Sequence, residues 1–213
     1  PAAAVRMINN RKLSVTPVSV IMLIEGTPEE NGIQNYSTFS GTTMDTNKIW
    51  ENYSNITEPY NYITTICLNY ANPEGVPAGT TSLSITNLPM PDCFFDVTAD
   101  TYFEKRREIA KEMVDQASAY VGVNLLDHVI DIEIETPVTV AHFPGNYRGG
   151  IYGYQHSIDN SVVARLEDFD RDQHIKGLVG CASHQLVGDG MACNINNGKI
   201  AATAILTWMQ EAK

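Results

Sequence analysis

The sequence predicts a chain of the α+β class built on a mixed sheet. Residues 17–25 form a nearly continuous apolar run with the length of a buried strand. Residues 102–121 carry apolar side chains at helical spacing and are followed by Gly122, a typical helix stop. Strand and helix patterns alternate along the chain without a repeated unit, which indicates an α/β or α+β architecture and no repeat protein; we expect α+β.

The remaining elements follow from local patterns. Alternating β-branched and apolar residues predict strands, and Thr136-Pro137 is a typical helix start. Asp100 is the expected N-cap of the helix over 102–121. The stretch 35–53 is polar and mixed. The predicted strands are 60–70, 80–86, 131–135 and a buried 175–181, and a tight turn at 188–190 precedes a final helix over 191–211.

Composition excludes several classes of function. The 213 residues carry 14 basic and 25 acidic side chains, a net charge of −11, which opposes binding to nucleic acids or anionic lipids. No apolar run approaches the about 18 residues of a membrane span. The four cysteines lack the paired spacing of a zinc site, so we expect reduced thiols and no metal.

The end of the chain holds the pattern most suggestive of a ligand. A predicted strand runs into Gly188-Asp189-Gly190, and a helix with small residues in its first turn follows. Free N–H groups at a helix start favour anionic or electron-rich atoms, and Asp189 can accept hydrogen bonds from ligand hydroxyls. The same order of elements also occurs in α/β proteins that bind nothing there.

Four stretches of the sequence carry family-like motifs in order: residues 72–80, 102–110, 127–139 with 145–154, and 175–202. Together they resemble the phytoene desaturase-like flavoproteins, the group of carotenoid desaturases, carotenoid isomerases and retinol saturase. Residues 175–202 resemble the C-terminal FAD segment, with 188–192 on its Gly-rich turn and 198–202 on its later Gly-Lys stretch. Residues 72–80 resemble a Pro- and Gly-containing loop of the substrate domain. Residues 102–110 resemble a Tyr- and Lys-containing helix, and residues 127–154 a Thr-Pro and Gly-rich run.

The resemblance implies a domain plan and a set of site residues. Residues 1–16 would be a linker or an incomplete element, 17–160 a substrate-binding domain, and 161–213 the last strand and helix of a Rossmann-like FAD-binding domain. His184 follows the predicted strand and is the candidate catalytic acid, with a hydrogen-bonded loop histidine as the alternative. The implied FAD contacts are Gly180, Ala182, Gly188, Asp189, Gly190, Met191 and Ala192. An aromatic, Gly-rich run supplies the expected contacts of a hydrophobic substrate, with plain packing as the alternative for half of that run; they are His142, Tyr147, Tyr152 and Tyr154.

The implied function is flavin redox on a carbon–carbon bond of an apolar or enone-like substrate, by desaturation, saturation or redox-assisted isomerisation. The GxGxxG strand–turn–helix that holds FAD pyrophosphate does not occur in this sequence. We therefore expect the chain to be a fragment, a cleaved chain or one subunit of such an enzyme, with a second chain that carries this motif as its partner. A non-catalytic binding module is the alternative, favoured by Ala182 in place of a family glycine. An amine-oxidase-like flavoenzyme is a third interpretation. We expect a cytoplasmic hetero-oligomer, with peripheral membrane contact left open.

Overall fold

The chain folds into two compact units. The computed structural model describes residues 5–6, 9–53, 62–161, 163, 165, 178–183 and 185–211. Thr16–Gly150 forms one unit, which we call the sheet unit. Pro1–Val15 and Ile151–Lys213 form the other, which we call the helix unit. The chain passes from the sheet unit to the helix unit between Gly150 and Ile151.

A five-stranded antiparallel sheet organises the sheet unit. Its spatial order is β2-β3-β4-β1-β5, and every pairing among these strands is antiparallel. The α+β class is confirmed, but the expected mixed sheet is wrong. Parallel neighbours require a long crossover, usually a helix, and β3 reaches β4 through short 3-10 turns instead. The strands are β1 Val18–Glu25, β2 Ser37–Gly41, β3 Tyr62–Cys67, β4 Thr80–Asn87 and β5 Val129–Glu135.

Within the described part of the chain, four α-helices have defined bounds. They are α1 Thr46–Tyr53, α2 Tyr102–Val121, α3 Pro137–His142 and α4 Met191–Glu211. The bounds predicted for α2 and α4 are confirmed. Gly122 ends α2 in the left-handed region, at a φ of 78°, and its N–H bonds the carbonyl of Ser118. The predicted N-cap of α2 is wrong, because Thr101 and not Asp100 occupies that position.

One face of the sheet is covered by α2. Alternate residues of β1 are buried, as expected for a central strand with one face against a helix. The helix contributes a stripe of apolar side chains at i, i+1, i+4, i+5 and i+8 to the same core. The residues of this contact are Val18, Val20, Met22 and Ile24 of β1 and Ile109, Ala110, Met113, Val114 and Ala117 of α2.

The predicted strand over residues 60–70 is shorter in the structure, and a side chain explains its end. Residues 60–61 lie outside the described part of the chain. After Cys67 the backbone turns into a 3-10 segment, Leu68–Tyr70. The side chain of Asn69 then hydrogen-bonds the backbone of β4 in place of a further strand residue. Its Nδ2 donates to the carbonyl of Thr80 at 2.8 Å, and its Oδ1 accepts from the N–H of Ser82 at 2.9 Å.

Thr136 caps α3 as the sequence predicted. Its hydroxyl accepts the N–H of Thr139, and the Thr139 side chain accepts the N–H of Thr136, so both ends of the capping box are present. Pro137 occupies the first turn. The Tyr102 hydroxyl lies 2.9 Å from Thr136 Oγ1, which ties the start of α2 to the start of α3.

Two parts of the structure differ from the sequence-based elements. The polar stretch 35–53 contains β2 and α1, whose apolar patterns are too weak to stand out. The structure describes residues 178–181 of the strand predicted over 175–181. These residues do not form a strand, and Leu178 is exposed, so the prediction is wrong for this part. An apolar run becomes a strand only with a neighbour to complete its hydrogen bonds. Residues 175–177 lie outside the described part.

The four cysteines form no disulfide. Cys67 is buried in the core, and Cys181 is exposed. Burial raises the pKa of the Cys67 thiol and raises the pKa of Cys93 to about 12, so both stay protonated at neutral pH.

Among the described residues, no helix combines the length and apolar character needed to cross a bilayer.

The packing of the sheet unit makes one prediction about stability. Ile85 on β4 is fully buried, whereas Ile130 on β5 is more than half exposed. We expect Ile85→Ala to lower the free energy of unfolding by about 2–5 kcal/mol, because it leaves a cavity in the core. The matched change Ile130→Ala should cost about 1 kcal/mol or less. Urea unfolding of both variants tests this, and equal losses would contradict the core assignment.

Candidate functional site

A turn with two left-handed glycines leads into α4. Gly188 has a φ of 96° and Gly190 a φ of 93°, values that L side chains rarely adopt. The first helical hydrogen bond runs from the N–H of Asn194 to the carbonyl of Gly190 at 2.9 Å. The N–H groups of the first turn of α4 therefore have no intrahelical acceptor. The tight turn predicted at 188–190 is confirmed.

Asp189, between the two glycines, lies beside the side chains of His156 and Arg165. Its side chain is only 12% exposed. Its Oδ2 accepts a hydrogen bond from Nε2 of His156 at 3.0 Å. Its Oδ1 lies 3.8 Å from Nη1 of Arg165, which is beyond hydrogen-bond distance. Within the part of the chain that the structure describes, this buried Oδ1 has no hydrogen-bond partner.

Asn197 fixes the loop before the turn to α4. Its Nδ2 donates to the carbonyls of Ala182 and Gly188, both at 3.1 Å. Its Oδ1 accepts the N–H of Val187 at 3.0 Å. The side chain is buried and all of these bonds are made to backbone groups. One amide thus sets the position of the loop relative to the helix start.

The structure brings most of the predicted cofactor contacts into one segment. Ala182 and Gly188 are joined through Asn197, and the turn then passes through Asp189 and Gly190 to the exposed Met191 and Ala192 at the helix start. Gly180 is exposed, and a Cβ added at this position would collide with the side chain of Gln185. The predicted catalytic His184 lies outside the described residues.

The predicted substrate contacts fall in different units. His142 and Tyr147 lie in the sheet unit, at the end of α3 and the following 3-10 turn, and both are exposed. Tyr152 and Tyr154 are partly buried in the helix unit.

Their immediate neighbours are aromatic and cationic. His142 packs edge-on against Phe143 at 5.0 Å between ring centroids. The guanidinium of Arg148 lies over Phe95 at 4.3 Å and over Tyr147 at 5.4 Å. In the helix unit, Arg11 lies over Tyr154 at 5.5 Å. The exposed rings among these, Phe95, Phe143 and Tyr147, can contact an apolar ligand or another protein surface.

Sequence reasoning missed the residues that surround the turn. Arg165 and His156 are separated from Asp189 by many residues, and no local pattern links a single arginine to a distant turn. Asn197 did carry a signal, because asparagines at 194, 196 and 197 are unfavourable in a helix interior unless their side chains have partners. Asn160 is a further buried residue, and its Nδ2 donates to the carbonyls of Tyr154 and Gln155.

No protein-family model and no curated protein matches this chain. Over the residues that the structure describes, no three His, Cys, Asp or Glu side chains are grouped closely enough to hold a metal ion. The candidate site is therefore defined by its own geometry: a glycine turn, a carboxylate with one unpaired oxygen, a buried arginine and the start of a long helix.

The turn geometry predicts a graded response to added methyl groups. A Cβ on Gly190 meets open space, whereas a Cβ on Gly188 would lie 2.8 Å from Nη1 of the buried Arg165. We expect Gly190→Ala to cost about 1–2 kcal/mol from backbone strain alone, and Gly188→Ala to cost more. The control Gly198→Ala, inside α4 and in open space, should stabilise by about 0.5–1 kcal/mol.

Fluorescence-detected unfolding can measure these differences in the helix unit. Trp208 lies in α4 and Trp50 in α1, so each variant is made in a Trp50→Phe background to leave Trp208 as the reporter. Equal effects of the changes at 188 and 190 would contradict the contact between Arg165 and the turn.

Proposed function

We propose that this chain is the C-terminal part of an FAD-dependent oxidoreductase that acts on carbon–carbon bonds of an apolar or enone-like substrate. The observation that carries the proposal is the glycine turn at 188–190, which presents a carboxylate and the free N–H groups of a helix start together. The ordered resemblance of four sequence stretches to phytoene desaturase-like flavoproteins supplies the identity of the cofactor.

The polar groups at the turn fit the hydroxylated part of a flavin. Asp189 Oδ1 is a buried acceptor without a partner among the described residues, and a ribityl hydroxyl would supply the missing donor. The N–H groups of Met191 and Ala192 would face electron-rich atoms of the ring system. Glycine at 188 and 190 permits the close approach of a ligand to the backbone, which bulkier residues hinder.

When bound, FAD supplies the hydride chemistry that protein side chains lack. The residues of this chain would bind and orient the cofactor and the substrate, and they would exclude water from the site. His156 holds the Asp189 carboxylate in place through Oδ2 and leaves Oδ1 available for a ligand hydroxyl. His184 is proposed as the acid near the reacting centre, and Tyr152 and Tyr154 as apolar contacts of the substrate.

A second chain is proposed to complete the helix unit. Among the residues that the structure describes, the members of the hydrophobic core all belong to the sheet unit, whereas the buried side chains of the helix unit are mostly polar. Apolar residues instead lie exposed along one side of α4, with Ile195 at 75% and Leu206 at 59%. A long exposed apolar stripe is typical of a helix that packs against further protein. The stripe consists of Met191, Ile195, Ile205, Leu206 and Met209.

The rival function is a binding module without a cofactor. Ala182 stands where the family has glycine, and this departure favours the rival. The two proposals differ in colour: the oxidoreductase is yellow with its partner chain, and the binding module is colourless.

Purification of the tagged protein from its native source distinguishes the two. We expect flavin absorbance near ~450 nm and a co-purifying chain whose sequence carries a GxGxxG strand–turn–helix, identified by mass spectrometry. Leu206→Glu should remove both the partner and the colour, because it puts a charge into the apolar stripe. Leu206 lies about 22 Å along α4 from Met191, so the change leaves the proposed flavin contacts intact.

The control for this experiment is Ile158→Glu. Ile158 is 91% exposed in the same unit but lies outside α4, so this variant should keep partner and colour. A colourless wild-type protein would overturn the oxidoreductase proposal. Retention of the partner by Leu206→Glu would overturn the role of the stripe.

A further inference from the structure

Arg165 is a buried cation whose hydrogen-bonding capacity is largely unused. Its side chain is 4% exposed. Its Nη1 is directed at the turn, 3.8 Å from Asp189 Oδ1 and close to Gly188. Its Nε and Nη2 are also buried, and neither has a hydrogen-bond partner among the residues that the structure describes.

The two unpaired nitrogens belong to the same edge of the guanidinium. The N–H of Nε and one N–H of Nη2 point in parallel, in the arrangement that binds two oxygens of one carboxylate or phosphate group. Buried guanidinium donors are rarely left unpaired, because the loss of water must be compensated by an acceptor. Asp189 does not fill this role, because it lies beside Nη1 instead.

The neighbouring polar atoms are consistent with a ligand at this place in the helix unit. Asp189 Oδ1 and Asn194 Oδ1 are buried acceptors that, within the described part of the chain, also lack a donor. Asp189 belongs to the turn, and Asn194 to the first turn of α4. The arginine edge needs an anionic acceptor, whereas these two oxygens need hydroxyl or amide donors.

We propose that the Nε–Nη2 edge of Arg165 is a binding site for an oxyanion, a carboxylate or phosphate group, on a ligand that also carries hydroxyl donors. The oxyanion belongs either to the cofactor or to a separate anionic ligand. The proposal goes beyond the flavin function and does not depend on it, since it rests on the unpaired edge of Arg165. It adds a charged recognition element to a site otherwise described by a turn and a helix start.

Isothermal titration calorimetry with inorganic phosphate, and separately with acetate, tests the proposal on the purified protein at constant ionic strength. We expect one of these anions to bind at a single site, and Arg165→Met to weaken that binding at least tenfold. Arg165→Lys should weaken it as well, because an ammonium cannot present two parallel N–H donors. Lys199→Met removes a positive charge from the exposed side of α4 and should leave the affinity unchanged.

The fold of each variant is checked by Trp208 fluorescence and helical circular dichroism. Because Arg165 Nη1 lies 3.8 Å from Asp189 Oδ1, Arg165→Met removes one partner of a buried charged pair and should lower the thermal midpoint measured without anion. If this variant does not fold, the anion affinity of Arg165→Lys is compared with that of the wild type instead. Failure of both anions to bind the wild type would overturn the proposal, as would equal binding by wild type and either folded variant.

Competition separates the two sources of the oxyanion. If FAD displaces the bound anion and riboflavin, which lacks phosphate, does not, the oxyanion belongs to the cofactor. If neither displaces it, the oxyanion belongs to a separate ligand, and both results support the site. A further outcome is that the protein binds the anion through Arg165 and yet takes up no flavin. That result would support the oxyanion site and would overturn the flavin proposal.

Discussion

The uneven distribution of apolar burial is the constraint on which the rest of the structure depends. In the sheet unit, α2 covers the inner face of β1 and its neighbours, and the residues of this contact form one continuous core. Burial of this area provides the main driving force for folding of that unit. The helix unit has no comparable core among its described residues, and its buried side chains include Ser14, Asn160, Arg165 and Asn197.

A unit with a polar interior depends on completed hydrogen bonds. Asn197 meets this requirement, since both its amide nitrogen and its oxygen bond backbone groups of the loop over 182–188. Arg165 and Asp189 meet it only in part. The unpaired atoms therefore lie where a ligand is proposed, and the apolar side of α4 lies where a second chain is proposed. Both features are explained if the helix unit is one part of a larger binding domain.

The sequence predicted elements with strong periodicity and failed where partners decide the outcome. The apolar spacing of α2 and the glycine after it predicted both ends of that helix, and the alternation in β4 and β5 predicted those strands. The strand over 175–181 failed because an apolar run does not specify a neighbouring strand, and the described part of it remains exposed. The parallel or antiparallel character of the sheet likewise depends on connections that composition does not reveal.

In the candidate site, too, local features were predictable from the sequence and contacts between distant residues were not. The turn at 188–190 was predictable because glycine spacing is local information. The role of Arg165 was not, since it depends on a contact between distant residues and on burial. The expected substrate contacts belong to two units, because the prediction rests on the aromatic, Gly-rich composition of one run and not on spatial contacts. They are His142, Tyr147, Tyr152 and Tyr154. Their shared role therefore stays a prediction.

An experimental structure of the FAD-containing protein with its partner chain tests the central claim most directly. The account predicts that the flavin lies within hydrogen-bond distance of Asp189 Oδ1 or of the N–H groups of Gly190 to Ala192. A flavin bound entirely by the partner chain, with the turn facing solvent or protein alone, would contradict it.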